Sequence, residues 1–405
     1  MGLIVQKFGG SSVADADKIR NVARIITKTY DEGNDVVVVL SAQGDTTDDL
    51  IAKAGELNSK PSKREMDMLL ATGEQQSIAL CSMAIEAMGY PVISLTGWQV
   101  GMKTNSSYGG ARIKRVDCER IRTELDKRCI VIVAGFQGIN KREDVTTLGR
   151  GGSDTSAVAL AASLGADLCQ IYTDVDGVYT ADPRKIKGAR KLEEVSFDEM
   201  LELSCLGSQV LHNRSVEMAK RYHVNMEVLS SFSGQPGTKV KEVAKSVENS
   251  HIVGVAKDTD IARIALVGLS DRPGIAFRVF SLLAKRKINV DIILQSIGRE
   301  ESKDISFTVS KSDMDAAHDI LEEYKEAIGF ESVHVTEDVA KISIVGSGMI
   351  NNPGVAADMF GALYSANINI NMISTSEIKV SVLVDIRDAD HAVQVIHDKF
   401  FAEFG

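Results

Sequence analysis

The sequence predicts an α/β protein: a doubly wound, mainly parallel sheet domain, followed by a tail of two α+β repeats. Three observations carry this. Apolar runs of the fully buried kind alternate with helix-length segments over the first part of the chain. Glycine, hydroxyl and charged residues gather directly after those runs, where open α/β sheets bind ligands. From about Ser246 onward the pattern repeats itself.

In chain order, Leu3-Ile4-Val5-Gln6-Lys7-Phe8 reads as a buried strand, Gly9-Gly10 as a turn, and the following residues as a helix through Ile19, Val22, Ile25 and Ile26. Lys7 at the carboxyl end of a strand, beside two glycines, is placed to reach a phosphate, although the spacing of a Walker loop is absent. Asp35–Ala42 is the second strand and Gly44–Thr47 a polar loop, which makes Ser41 and Thr47 candidates for ligand contacts. Ala71-Thr72-Gly73-Glu74 leads a helix from Gln75 to Met88, with Glu74 expected at its N-terminus. Two more buried strands follow, Pro91–Leu95 and Cys129–Ala134.

Thr147-Leu148-Gly149-Arg150-Gly151-Gly152-Ser153-Asp154 then opens into the small-residue helix that includes Ala157-Val158-Ala159-Leu160. Glycines passing into a helix N-terminus leave backbone N–H groups aimed outward, in a place where the helix dipole favours anions. Arg150 adds a planar fork suited to a carboxylate, Ser153 a hydroxyl, and Asp154 a carboxylate that can hold a cation or a lysine. A simple helix cap with glycines for close packing explains the same residues.

The tail begins Ala262–Gly268, Pro273-Gly274, a helix to Lys287, then Ile288–Ile293. It returns as Ile342–Gly346, Pro353-Gly354, a helix to Ala366, then Ile368–Ile373. Each copy continues with a strand and a helix, but only the first ends in another strand, Ser332–Thr336. The orphan run Ile252-Val253-Gly254-Val255-Ala256 can supply the missing one, which would insert the first repeat within the second.

With 405 residues the chain has room for two or three domains. The net charge of −10, with no basic tract, excludes a nucleic-acid partner. Five cysteines without paired short spacings suggest neither a disulfide framework nor a zinc site, and fit a reducing cytoplasm. The seven histidines include no pair at helical ligand spacing with a glutamate, so no resident metal is expected. No long apolar run points to a membrane.

Taken together, Lys7-Phe8-Gly9-Gly10-Ser11-Ser12, the Thr147–Asp154 loop, Asp174-Val175-Asp176-Gly177-Val178-Tyr179-Thr180-Ala181-Asp182-Pro183-Arg184 and the duplicated tail resemble the aspartate kinase family over essentially the whole chain. The resemblance implies an amino acid kinase fold, its mainly parallel sheet sandwiched by helices, over residues 1–245. It further implies a joining segment at 246–260 and paired ferredoxin-like ACT domains at 261–338 and 339–405. It implies transfer of the γ-phosphoryl of ATP, with Mg2+, to the β-carboxylate of L-aspartate.

Carried over by position, Lys7 would neutralise the moving phosphoryl and Asp154 would organise Lys7 and the reacting groups. Phe8, Gly9, Gly10, Ser41, Thr173, Asp174, Tyr179, Thr180, Asp182, Arg184 and Gln209 would join Lys7 in holding ATP. Ser41, Thr47, Glu74, Arg150, Gly151, Gly152 and Ser153 would hold aspartate, with Glu74 on its amino group and Arg150 on its α-carboxylate. At Gln209 the family commonly has a lysine, so one charge is missing from the nucleotide side.

The resemblance also implies feedback inhibition by lysine and/or threonine, contacting Asp271, Ile275, Asn289, Asp291, Gln295, Asn369, Ile370, Thr375 and Ser376, and a homo-oligomer formed through the ACT domains. Local turn bonding explains those polar tail residues equally well. Two other readings stay open at the level of residues: a catalytically silent amino-acid sensor, and a kinase of the same fold acting on glutamate or another acyl acceptor.

Overall fold

The computed structural model describes residues 2–205, 210–242, 252–296 and 302–402. They fall into two compact units: one of residues 2–179, 191–205 and 210–242, the other of residues 180–190, 252–296 and 302–402.

In the first unit β1 (Leu3–Phe8) runs parallel to β2 (Asp35–Leu40), which α1 (Ala16–Asp31) precedes. Asp15 caps α1 by accepting from Lys18 N–H, and Ile19, Val22, Ala23 and Ile26 turn inward. Next come α2 (Thr46–Leu57), α3 (Lys63–Glu86), β3 (Val92–Leu95), β4 (Met102–Thr104), β5 (Ile113–Val116), α4 (Glu119–Leu125) and β6 (Ile130–Ala134). After β7 (Gln137–Ile139) and β8 (Val145–Thr147), the chain enters α5 (Gly152–Leu164) and β9 (Leu168–Thr173). The unit closes with β10 (Glu194–Ser196), α6 (Phe197–Cys205), α7 (Asn213–Tyr222), β11 (Met226–Ser230) and β12 (Thr238–Lys241).

The main sheet has the order β10-β12-β11-β9-β1-β2-β6-β3, parallel except where β12 meets β11. Its central strands are apolar on both faces because both faces are covered. Val36, Val38, Leu40, Ile130 and Ile132 pack with α1 and with Ile78, Cys81 and Ile85 of α3. The small residues of α5, Ala157 to Ala161, are buried as well. A second sheet, β5-β4-β7-β8, delivers the chain into α5.

One helix boundary differs from the sequence reading. Glu74 does not begin a helix; it lies in the middle of α3, which starts eleven residues earlier in the sequence, at Lys63. Ser62 caps that start by accepting from Glu65 N–H, the Ser-x-x-Glu arrangement of a capping box. The glycine before Glu74 serves packing instead: a Cβ on Gly73 would lie 2.8 Å from Ala42 Cβ, so glycine lets α3 close onto the end of β2.

In the second unit, β13 (Gly254–Asp258), β14 (Ile261–Ser270), α8 (Ile275–Lys285), β15 (Ile293–Gln295), β16 (Ser302–Ser310), α9 (Lys311–Glu323), α10 (Lys325–Ile328) and β17 (Ser332–Thr336) are followed by β18 (Val339–Val345), α11 (Val355–Ser365), β19 (Met372–Thr375), β20 (Lys379–Asp385) and α12 (Ala389–Phe401). The two sheets have the orders β15-β16-β14-β17 and β19-β20-β18-β13. The orphan run thus pairs antiparallel with β18 and fills the place that β17 fills in the first repeat. Ile261, Ile292, Val339, Met372 and Leu383 form an apolar cluster shared by the repeats.

Residues 180–190 also belong to this unit. Ala181 and Ile186 sit in the core with Ile342, Val382 and Ile396, and Gln394 of α12 bonds both the N–H and the C=O of Lys187.

Candidate active site and effector cavity

Lys7, near the end of β1, reaches Asp154 in the first turn of α5, with Nζ 2.7 Å from Oδ1 and both side chains 12% exposed. A carboxylate in a helix's first turn is favoured by the dipole, and here it also holds the ammonium in place. A Cβ built on Gly9 would stand 3.6 Å from that ammonium, so the turn after β1 passes directly beside it.

The glycines of the loop are required by geometry. Gly149 and Gly151 have φ of 77° and 64°. A Cβ on Gly151 would meet the His212 ring at 2.2 Å, and one on Gly152 would meet Phe136 at 2.7 Å. Gly151 is the N-cap of α5 and supplies no side-chain cap, so the first-turn amides of the helix have no side-chain acceptor from that residue. Ser153 and Asp154 are largely buried there, whereas Arg150 is exposed and has no ion-pair partner among the described residues.

Glu74 is 3% exposed. Its Oε1 accepts from Ala42 N–H at 3.3 Å, and its Oε2 has no partner among the described residues. Burial pushes the carboxyl up to about 7, outweighing backbone hydrogen bonds, that of Ala42 among them, which act to lower it. A buried carboxyl with one free oxygen, at the end of β2, suits a substrate ammonium. Ser41 follows β2 with its N–H bonded to Phe8 C=O, and Thr47 lies in the first turn of α2, which replaces the expected loop from Thr46 onward.

On the proposed nucleotide side, Thr173 ends β9, and its hydroxyl donates to Asp174 at 3.0 Å while accepting from Val175 N–H. The Tyr179 hydroxyl donates to Asp176 at 2.7 Å; this bond holds Asp176 below the usual carboxylate range and pushes the phenol up to about 12. The other residues expected on this side make contacts within the chain. Phe8 is fully buried and stacked on Tyr172 at 4.5 Å, so only its backbone is available. Thr180 is 3% exposed, and its hydroxyl is engaged by His397 Nε2 at 2.9 Å and by Arg190 N–H. Asp182 and Arg184 hold one another at 3.0 and 3.1 Å and, like Thr180, fold with the second unit. Gln209 lies outside the described residues.

His212 is the residue near the loop that sequence reasoning passed over. Its ring covers Gly151, its Nδ1 accepts from Arg214 N–H to cap α7, and burial lowers its pKa although the charge of Asp154 works the other way. No spacing pattern marks it.

In the second unit, Thr375 and Ser376 border a cavity of about 520 Å³ with Met349, Asn352, Gly354 and Glu377. Asn369 is exposed and Ile370 packs at the edge of the core. Ile275 is buried in the first repeat's core, so its side chain is withdrawn from any ligand. Asp291 is held by the buried ammonium of Lys341, which also lies 3.5 Å from Asp258, and Asp271 pairs with Lys303 at 2.9 Å. Asn289 and Gln295 are exposed.

The model of the amino acid kinase family matches residues 2–230, and that of the ACT domain matches residues 264–324 and 342–400. The chain is 52% identical over 400 residues to aspartokinase 2 of Bacillus subtilis (strain 168), an alignment spanning 99% of this chain and 98% of that one. Among solved structures, E. coli aspartokinase III in complex with aspartate and ADP, in its R-state, is 27% identical with a TM-score of 0.83, covering 98% of this chain and 100% of that one. The same enzyme in complex with lysine and aspartate, in its T-state, is 27% identical with a TM-score of 0.76, covering 98% and 99%.

Proposed function

The chain belongs to the amino acid kinase family, in its aspartokinase branch, and on that premise we propose how its residues phosphorylate the β-carboxylate of L-aspartate with ATP. The observation that carries the reading is the Lys7–Asp154 pair, set beside Gly9 and the uncapped N-terminus of α5. Phosphoryl transfer needs positioning and charge neutralisation more than covalent help from the protein. The Lys7 ammonium, held by Asp154, neutralises charge on the moving phosphoryl. The exposed fork of Arg150 takes the α-carboxylate of aspartate, and Glu74 takes its ammonium through the free Oε2. Ser41, Thr47, Ser153 and the backbone of Gly151 and Gly152 complete the aspartate side.

Thr173, Asp174 and Tyr179, with the backbone of Phe8, Gly9 and Gly10, hold the nucleotide. Magnesium arrives with ATP as part of the substrate. A magnesium ion carried by a nucleotide takes most of its ligands from phosphate oxygens and water.

Regulation is the finer part of the proposal. Lysine and/or threonine binds at the ACT repeats, the cavity beside Thr375 and Ser376 being the candidate place, and favours a less active arrangement. The lysine complex of the E. coli enzyme supports lysine as one effector. The edge strands β15 and β19 carry exposed Ile293, Leu294 and Ile373, which supports pairing with a second copy. The enzyme then stands at the first step of lysine, threonine and methionine biosynthesis in the cytoplasm. Among the described residues no helix is long and apolar enough to cross a membrane.

Turnover of ATP against aspartate, glutamate and acetylglutamate tests the reading. Aspartate alone should support it. Preference for another acceptor contradicts the substrate, and no turnover with any of them favours the silent sensor.

A further inference from the structure

We propose that Asp67 is a positioning residue of the aspartate site: a buried carboxylate that sets the course of the Gly149–Gly152 loop without touching substrate. The proposal rests on the reading of Arg150 and Ser153 as aspartate ligands.

Asp67 lies on α3 seven residues before Glu74, hence two turns away on the same face. It is 0% exposed, and among the described residues it has no cationic partner. N–H and O–H donors hold it instead. Oδ2 accepts from Thr147 N–H at 3.0 Å, Oδ1 accepts from the Thr147 hydroxyl at 2.7 Å, and the two oxygens share Gly109 N–H at 2.9 and 3.0 Å. Thr147 is the last residue of β8, three positions before Arg150.

The donors come from two segments, which Asp67 ties to α3 and to each other. Ala111 N–H donates to Thr147 C=O at 2.8 Å, and a Cβ on Gly149 would lie 3.3 Å from Gly109 C=O. Arg214 closes the arrangement from α7, its two Nη atoms donating at 2.9 Å to Leu148 C=O and Ala111 C=O. The approach to the loop is therefore gripped at two successive residues, Thr147 by a carboxylate and Leu148 by a guanidinium.

The choice of a carboxylate has a chemical reason. Ionised, it only accepts, so all of its lone pairs suit surrounding donors. An amide with its NH2 in place of Oδ1 would set a donor 2.9 Å from the Gly109 N–H and force the Thr147 hydroxyl to turn from donor to acceptor. The loop beyond Thr147 would shift, and small misplacements of a binding group are enough to weaken a site.

The test is Asp67→Asn in the full chain, with the Michaelis constants for aspartate and ATP measured separately. The expected result is a rise of tenfold or more for aspartate and a change within twofold for ATP. Combined with Arg150→Lys, the rise should be smaller than the product of the two single effects, because both act on one loop. An unchanged constant for aspartate, or equal rises for both substrates, overturns the proposal. If Arg150→Lys alone leaves the aspartate constant unchanged, the underlying division of the site fails first, and the proposal with it. Should Asp67→Asn not fold, Thr147→Val removes one donor while keeping the carboxylate. It should raise the aspartate constant threefold or more, and no rise counts against the proposal.

Discussion

The ammonium of Lys7 and the carboxylate of Asp154 meet at 2.7 Å between the central strand β1 and the first turn of α5, both of them mostly withdrawn from water. Asp154→Asn keeps the shape and removes the counter-charge. Lys7 would then lose the contact that fixes its head, and turnover should fall at least tenfold with the Michaelis constant for aspartate within threefold of the parent. Steady-state kinetics check this; unchanged turnover would mean that the pair is only structural.

Glu74 links function to stability. Its folded pKa of about 7 lies above the ordinary 4.5, so the folded state holds the proton more tightly. Stability contributed by the protonated carboxyl is therefore lost as pH rises from 4.5 through 7. Glu74→Gln should be more stable than the parent at pH 8, where the parent must carry a buried charge, by an amount on the order of a few kcal/mol. The same variant should bind aspartate weakly. In the parent, the Michaelis constant for aspartate should fall as pH rises from about 6 to about 8, since the ammonium needs the ionised form. Denaturant titrations at two pH values decide the first point, and equal stability at pH 8 would refute it.

The aspartate side is tested by Arg150→Lys. The charge stays but the planar fork is lost, so the Michaelis constant for aspartate should rise about tenfold while that for ATP stays within twofold. If ATP is the substrate affected, Arg150 serves the nucleotide.

Much of this architecture was legible in sequence. The buried strands declare themselves by unbroken apolar runs, as in Val36–Leu40, and the repeats by their constant spacing. Even the place of β13 follows from counting strands in each copy. The start of α3 was also written there, in Ser62 and Glu65, ahead of the Gly73-Glu74 step after which the sequence reading begins the helix. Other features depend on contacts distant in sequence. Thr180 reads as a loop residue until His397, 217 positions later, is found bonded to it. Asp67 and Arg214 look like ordinary charged helix residues, because the groups that bury and satisfy them come from other segments. The pairing of Asp291 with Lys341 joins residues of different repeats, which no local pattern announces.

Regulation makes a separable prediction at the cavity beside β19. Ser376→Tyr would fill part of the 520 Å³ space, so the inhibitor concentration needed should rise tenfold or more, equivalent to about 1.4 kcal/mol of coupling. Uninhibited turnover should stay near that of the parent. Dose series with lysine and with threonine measure both quantities, and unchanged inhibition would move the effector elsewhere.

The most direct test of the account is the turnover number of Lys7→Ala with aspartate and MgATP at saturation. If the ammonium offsets charge on the moving phosphoryl, turnover should fall by about two orders of magnitude or more, in line with roughly 3 kcal/mol for a preorganised electrostatic contact. Turnover within threefold of the parent would contradict the assignment of Lys7 and the catalytic scheme built on it.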